Sequence, residues 1–186
     1  MSTSSTHDAL IVVDMLNRYE HEDSDQLAES VRERVPAMRR MIDAAREDTN
    51  TLLVYVNDCF GDWSANAGKL TDHALAGRAP DAVEPIVPRE DDPFVIKARH
   101  SIFYQTQVEY LLRQEGVQRV VLIGQVTEQC ILYSALDGYV RHFEVAVAPG
   151  AVAHIHADLA SAALRLMELN MHARLVPAGA DAFDPD

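Results

Sequence analysis

Short apolar runs rich in β-branched residues recur along the chain, and stretches of helical periodicity separate most of them. The runs fall at residues 9–14, 51–56, 94–97, 120–123, 144–148 and 173–176. They are apolar at consecutive rather than alternate positions, which marks strands covered on both faces. Strands that alternate with helices run parallel, because each connection must cross back over the sheet. The pattern predicts a three-layer α/β/α domain with a mostly parallel, Rossmann-like sheet of about six strands. In such sheets ligands collect beyond the carboxyl ends of the strands.

The intervening segments fit that plan. After Ser24, a cap residue, Leu27, Val31, Val35, Met38, Ile42 and Ala45 form one apolar stripe of a helix. Pro36 interrupts the stripe and predicts a kink or a fresh start there. Residues 108–114 read as a helix stopped by Gly116, and residues 156–169 as another. Residues 57–89 carry Gly61, Gly68, Gly77, Pro80, Pro85 and Pro88, and read as a long excursion beside the site, with a short helix near residues 70–75.

A length of 186 residues suits one domain, taken as residues 9–186. Residues 1–8 are Ser/Thr-rich, lack the apolar core of a signal peptide, and read as a disordered leader. Sixteen basic residues against 29 acidic ones give a net charge of −13, which argues against nucleic acid and anionic membranes as partners. Two cysteines, Cys59 and Cys130, form no framework, so a reducing, cytoplasmic setting is expected.

Three residues with reactive side chains fall at strand ends. Asp14 closes the first run, Lys97 closes the third, and Cys130 follows the fourth. Gly124 is read as ending that fourth strand and Thr127 as capping the next helix, so Cys130 falls in the first helical turn. Free backbone N–H groups and the helix dipole there favour a thiolate and can hold an oxyanion. Singly, each residue has a commoner reading. A lone Cys is a packing residue, an Asp after a strand caps a turn, and a Lys at a strand end is solvated. Convergence on one sheet edge turns the three into a nucleophile, a base and a stabilising cation.

The same residues lie in four motifs that resemble the isochorismatase-like cysteine hydrolases over nearly the whole chain. The motifs are Leu-Ile-Val-Val-Asp14-Met15-Leu-Asn17-Arg-Tyr19, Tyr55-Val-Asn57-Asp58-Cys-Phe60-Gly61-Asp-Trp63, Phe94-Val-Ile-Lys97-Ala-Arg-His100-Ser101-Ile-Phe103-Tyr104 and Gly124-Gln-Val-Thr127-Glu128-Gln-Cys130-Ile. The resemblance implies a catalytic triad of Asp14, Lys97 and Cys130. It also implies a cis peptide bond at Gln125–Val126 that turns the Val126 N–H towards the Cys130 N–H as an oxyanion hole. The expected reaction is hydrolysis of a C–N bond in a small amide, carbamoyl or ureido substrate through a thioester, with no cofactor. A homo-oligomer, dimer or tetramer, is expected from the family.

Tyr19, Trp63, Tyr104, His100 and Gln125 are the expected substrate-binding residues. The nicotinamidase branch binds metal through an Asp-x-His pair, but here the stretch is Asp58-Cys59-Phe60, so no metal is expected. Cys59 follows the second strand and lies near the same edge, which raises the question of oxidative coupling to Cys130. Two other readings compete. One is isochorismatase-type vinyl ether cleavage with Asp14 as general acid. The other is a non-catalytic domain that binds a small ligand.

Overall fold

The computed structural model describes residues 8–183. The leader expected over residues 1–8 lies outside the described residues, except for Asp8, which belongs to the first strand. The strands are β1 (Asp8–Val13), β2 (Thr51–Asp58), β3 (Phe94–Lys97), β4 (Arg119–Gln125), β5 (Glu144–Ala153) and β6 (Arg174–Leu175). They form one sheet in the order β3-β2-β1-β4-β5-β6, every pair parallel. The chain builds outward from β1 in one direction, then returns to β4 and builds outward in the other. That reversal leaves a crevice beyond the ends of β1 and β4.

Consecutive residues of β1 serve opposite layers. Leu10 and Val12 join one core cluster, and Ala9, Ile11 and Val13 join the other. The first cluster holds α1 (Ser24–Glu47) and the excursion helices α2 (Ala67–Leu75) and α3 (Pro80–Val83) against the sheet. The second packs α4 (Val108–Gln114), α5 (Leu132–Val140) and α6 (Ala157–Met171) on the opposite face. This two-sided burial is what the unbroken apolar runs encode. No described helix is long and apolar enough to cross a membrane.

Pro36 does not start a new helix. α1 runs unbroken past it from Ser24 to Glu47. An interior proline costs roughly 3 kcal/mol. The stripe offsets this, because Leu27, Val31, Met38, Met41 and Ile42 are all fully buried, at about 1.5–3 kcal/mol each. The helix is capped by Asp23 rather than Ser24, without a side-chain cap bond. β5 runs five residues beyond its expected end, to Ala153. It accommodates Pro149 and Gly150 at an irregularity in its register with β4, between Leu122 and Gly124.

Gly124 lies inside β4 rather than ending it, paired with Val13. Its φ is +112°, and an added Cβ would collide with the Val13 carbonyl oxygen and sit 2.8 Å from the Val13 nitrogen. Glycine therefore allows β1 and β4 to close directly beneath Asp14. Gly124→Ala is expected to destabilise the fold by about 3 kcal/mol, a fall in Tm of about 6–12 °C in a chain of this size. An unchanged Tm in a thermal melt would show that the close approach is not required.

Candidate active site

Four strand ends place the polar groups. Asp14 follows β1 in a left-handed conformation, φ 55°, its N–H bonded to the Val56 carbonyl at 2.9 Å. One carboxylate oxygen accepts from the Asp58 N–H at 2.8 Å, and the other lies 2.8 Å from Lys97 Nζ. Lys97 ends β3 with its side chain fully buried, and its ammonium also lies 3.7 Å from Asp58 and 3.8 Å from the Cys130 sulfur. Asn57, at the end of β2, clamps the Asp14 turn by accepting from the Leu16 N–H at 2.9 Å and donating to the Leu16 carbonyl at 3.2 Å.

Cys130 sits in a wide π-type turn, Thr127–Ile131, that leads into α5. The Gln125–Val126 peptide bond before it is cis. Thr127 does not cap the helix as expected; its hydroxyl donates to the Ala153 carbonyl at 2.8 Å and ties the turn to β5. Glu128 accepts from the N–H groups of Ile155 and His156 at 2.9 and 2.8 Å, bracing the turn against the start of α6. His100 Nδ1 approaches the sulfur at 3.7 Å from the loop after β3.

These groups share a cavity of about 350 Å³ whose wall includes Asp14, Asp58, His100, Gln125, Val126 and Cys130. Burial pushes the Asp14 carboxyl up from its ordinary range, although Lys97 opposes that shift. Burial works against the Lys97 charge too, but Asp14, Cys130 and Asp58 overcome it and the ammonium is held more firmly than in water. The Cys130 thiol is pushed well up, first by burial and then by the Asp14 carboxylate, against the pull of Lys97 and a backbone bond from Val126. Burial thus favours a neutral thiol beside the Asp14–Lys97 ion pair. The turn's N–H groups, expected to favour a thiolate, are outweighed here. A buried sulfur next to a carboxylate gains less from the turn's N–H groups than it loses in hydration.

A thiol held above its unfolded pKa contributes stability that is complete below about pH 8.5 and is lost as pH rises beyond it. Between pH 7.5 and 9.5 the wild type is expected to lose about 1.4 kcal/mol more than Cys130→Ala, measured by urea unfolding. Parallel losses in the two proteins would contradict the buried neutral thiol.

The structure separates the expected substrate contacts. His100 and Gln125 line the cavity. Tyr19 does not; it is 1% exposed and packs in the core, its hydroxyl donating to Gln125 Oε1 at 3.2 Å while Gln125 Nε2 donates to the Asp14 carbonyl. It supports the base from behind. Trp63 is 86% exposed and Tyr104 54% exposed, and neither lines the cavity. Tight turns cause this, closed by the Cys59 and Asp62 carbonyls in one loop and the Ser101 carbonyl in the other. Phe103 takes the inward position instead and stacks on Phe143 at 5.8 Å. Both cysteines are free, and Cys59 opens into a second, adjacent hollow of about 390 Å³. Phe60 stands between the two spaces and borders both. Among the described residues, no group of three His, Cys, Asp or Glu side chains is placed to hold a metal.

The sequence did not mark Asn17, His21, Asp23, Leu27, Gln129 and Ile155 as site residues, and they complete the wall. Asp58 was legible as another acid at a strand's carboxyl end. Asp23, before α1, carried no such signal.

The Isochorismatase domain model matches residues 8–178. The chain belongs to the isochorismatase family. It is thereby a hydrolase of the isochorismatase-like group. An uncharacterized isochorismatase family protein of Bacillus subtilis strain 168, YaaI, is 29% identical over 165 residues, covering 89% of this chain and 91% of that protein. Maleamate amidohydrolase of Pseudomonas putida is 27% identical over 158 residues, 81% of this chain and 74% of that enzyme. Among solved structures, N-carbamoylsarcosine amidase from Thermoplasma acidophilum superposes with a TM-score of 0.69 at 25% identity, covering 92% of this chain and 96% of that one. The isochorismatase fold is shared as well with a hydrolase from Alkaliphilus metalliredigens, TM-score 0.74 at 23% identity, over 92% of this chain and 95% of that one.

Proposed function

We propose that this isochorismatase-family hydrolase cleaves the C–N bond of a small amide, carbamoyl or ureido substrate, with Cys130 as nucleophile, Asp14 as general base and acid, and Lys97 as the stabilising cation. Asp14 takes the Cys130 proton as the sulfur attacks the carbonyl carbon. The Val126 and Cys130 N–H groups hold the tetrahedral oxyanion, each donor contributing about 3–4 kcal/mol. Collapse breaks the C–N bond, and Asp14 returns the proton to the departing nitrogen. Water then attacks the thioester, Asp14 accepts its proton, and the acid product and the thiol are released.

One observation carries this reading: a thiol 3.8 Å from a buried ammonium that itself lies 2.8 Å from the Asp14 carboxylate, with thiol and carboxylate lining one cavity. The amidohydrolase activities named for similar proteins support the bond class. The thiol favours this reading over vinyl ether cleavage, which needs the acid alone. An activity screen over small primary amides, carbamoyl and ureido compounds tests it, with acid quench and peptide mapping. The expected result is an acyl mass increment on the Cys130 peptide. Turnover of a vinyl ether with no increment would replace the reading.

The same reading places the enzyme in the cytoplasm, acting on a small molecule, with two free thiols in accord. Exposed Tyr133, Leu136, Tyr139 and Val140 on α5 support assembly into a homo-oligomer.

A further inference from the structure

We propose that the catalytic cavity selects uncharged or cationic amides and rejects substrates that carry a carboxylate. The proposal rests on the hydrolase reading above and names the charge class of its substrate. Three carboxylates, Asp14, Asp23 and Asp58, line the wall, and no lysine or arginine among the described residues does. The nearest ammonium, Lys97, is buried against two of those carboxylates and has no charge left for a ligand. The remaining polar wall consists of the amides of Asn17, Gln125 and Gln129 and the imidazoles of His21 and His100.

Two guanidinium groups nearby are committed elsewhere. Arg18, which borders the second hollow, holds Glu20 through two bonds at 2.8 and 2.9 Å. Arg78 binds Asp25 at 3.1 Å. The start of α1 brings about half a positive charge towards the cavity, but Asp23 sits at that helix end and more than cancels it. The chain's net charge of −13 adds a field of the same sign at long range. A ligand carboxylate entering this space would find no lysine or arginine in the wall, among the described residues, to receive it and would lose its water. A neutral amide, or an amine-bearing one, meets acceptors suited to its N–H groups. The excluded class includes the half-amides of dicarboxylic acids and N-carbamoyl amino acids.

Iodoacetamide and iodoacetate test this directly, because they differ only in an amide against a carboxylate and both alkylate sulfur with loss of iodide. Their rates at Cys130 are followed by peptide mass spectrometry, which separates Cys130 from Cys59. The buffer is pH 8 at low salt. Glutathione gives the intrinsic ratio. Iodoacetamide is expected to be favoured at least about 10-fold beyond that ratio, with the preference shrinking in 0.5 M NaCl and in Asp23→Asn. A ratio equal to that of glutathione, a preference for iodoacetate, labelling by neither reagent, or a preference untouched by Asp23→Asn overturns the proposal. Labelling needs no turnover. A protein that labels as expected yet hydrolyses no amide refutes the amidase reading alone, and one that hydrolyses amides but labels without charge preference refutes only the charge class.

Discussion

Cys130→Ala is expected to lower kcat by at least about 10⁴-fold while leaving the fold intact. Removing a nucleophile costs nearly everything its machinery provides, because base and oxyanion donors act through the bond it forms. The structural cost is small. The sulfur lies at the cavity wall, at the margin of the core cluster beneath it, so its removal leaves only a small void open to the cavity. The variant should therefore melt within a few degrees of the wild type, bind substrate, and show no acyl adduct by mass spectrometry. Full turnover in Cys130→Ala would end the thioester mechanism and leave Asp14 acting as an acid.

Lys97→Met is expected to cost about 10³-fold in kcat and about 3–5 kcal/mol in stability at pH 8. The methionine is close to lysine in length and fills the same buried space but brings no charge. Asp14 then loses the main influence that holds its carboxyl down, and burial drives it further up. At neutral pH it keeps its proton and cannot take the one on Cys130. The sign of the pH dependence follows. An acid with a folded pKa above its unfolded value contributes stability that is full below about pH 4 and is lost as pH rises through the folded value. The variant should therefore be less stable at pH 8 than at pH 5. In the wild type Asp14 gives a slope of the same sign that Lys97 makes smaller, and Lys97 adds none of its own in this window because its ammonium is held above the ordinary lysine range. Urea unfolding at the two pH values, beside the rate, reads both effects. A variant with wild-type turnover would remove Lys97 from the mechanism.

The fold was largely legible because burial on both faces writes itself into consecutive residues. The β1 and β4 runs are apolar without alternation, and no single-faced sheet produces that pattern. Their strand ends were legible for the same reason, so Asp14, Lys97 and Cys130 could be placed on one edge before their distances were known. Trp63 and Tyr104 were misplaced because aromatic character says nothing about direction in a loop. Backbone turns at Cys59 and Ser101 decide it, and those depend on local hydrogen bonds. Tyr19 was misplaced for a related reason: a left-handed backbone at φ 55° sends its ring inward, behind Gln125.

From the amino-acid order alone come the layered sheet, its six strands, and the chemical types gathered at its edge, since periodic burial and strand ends are short-range properties of a chain. Only tertiary structure decided how deeply the thiol is buried, which residues form the cavity wall, and that no lysine or arginine among the described residues belongs to it. Those depend on how much water each group loses and on which partners, up to 111 residues away, arrive beside it. No local reading of sequence contains either quantity.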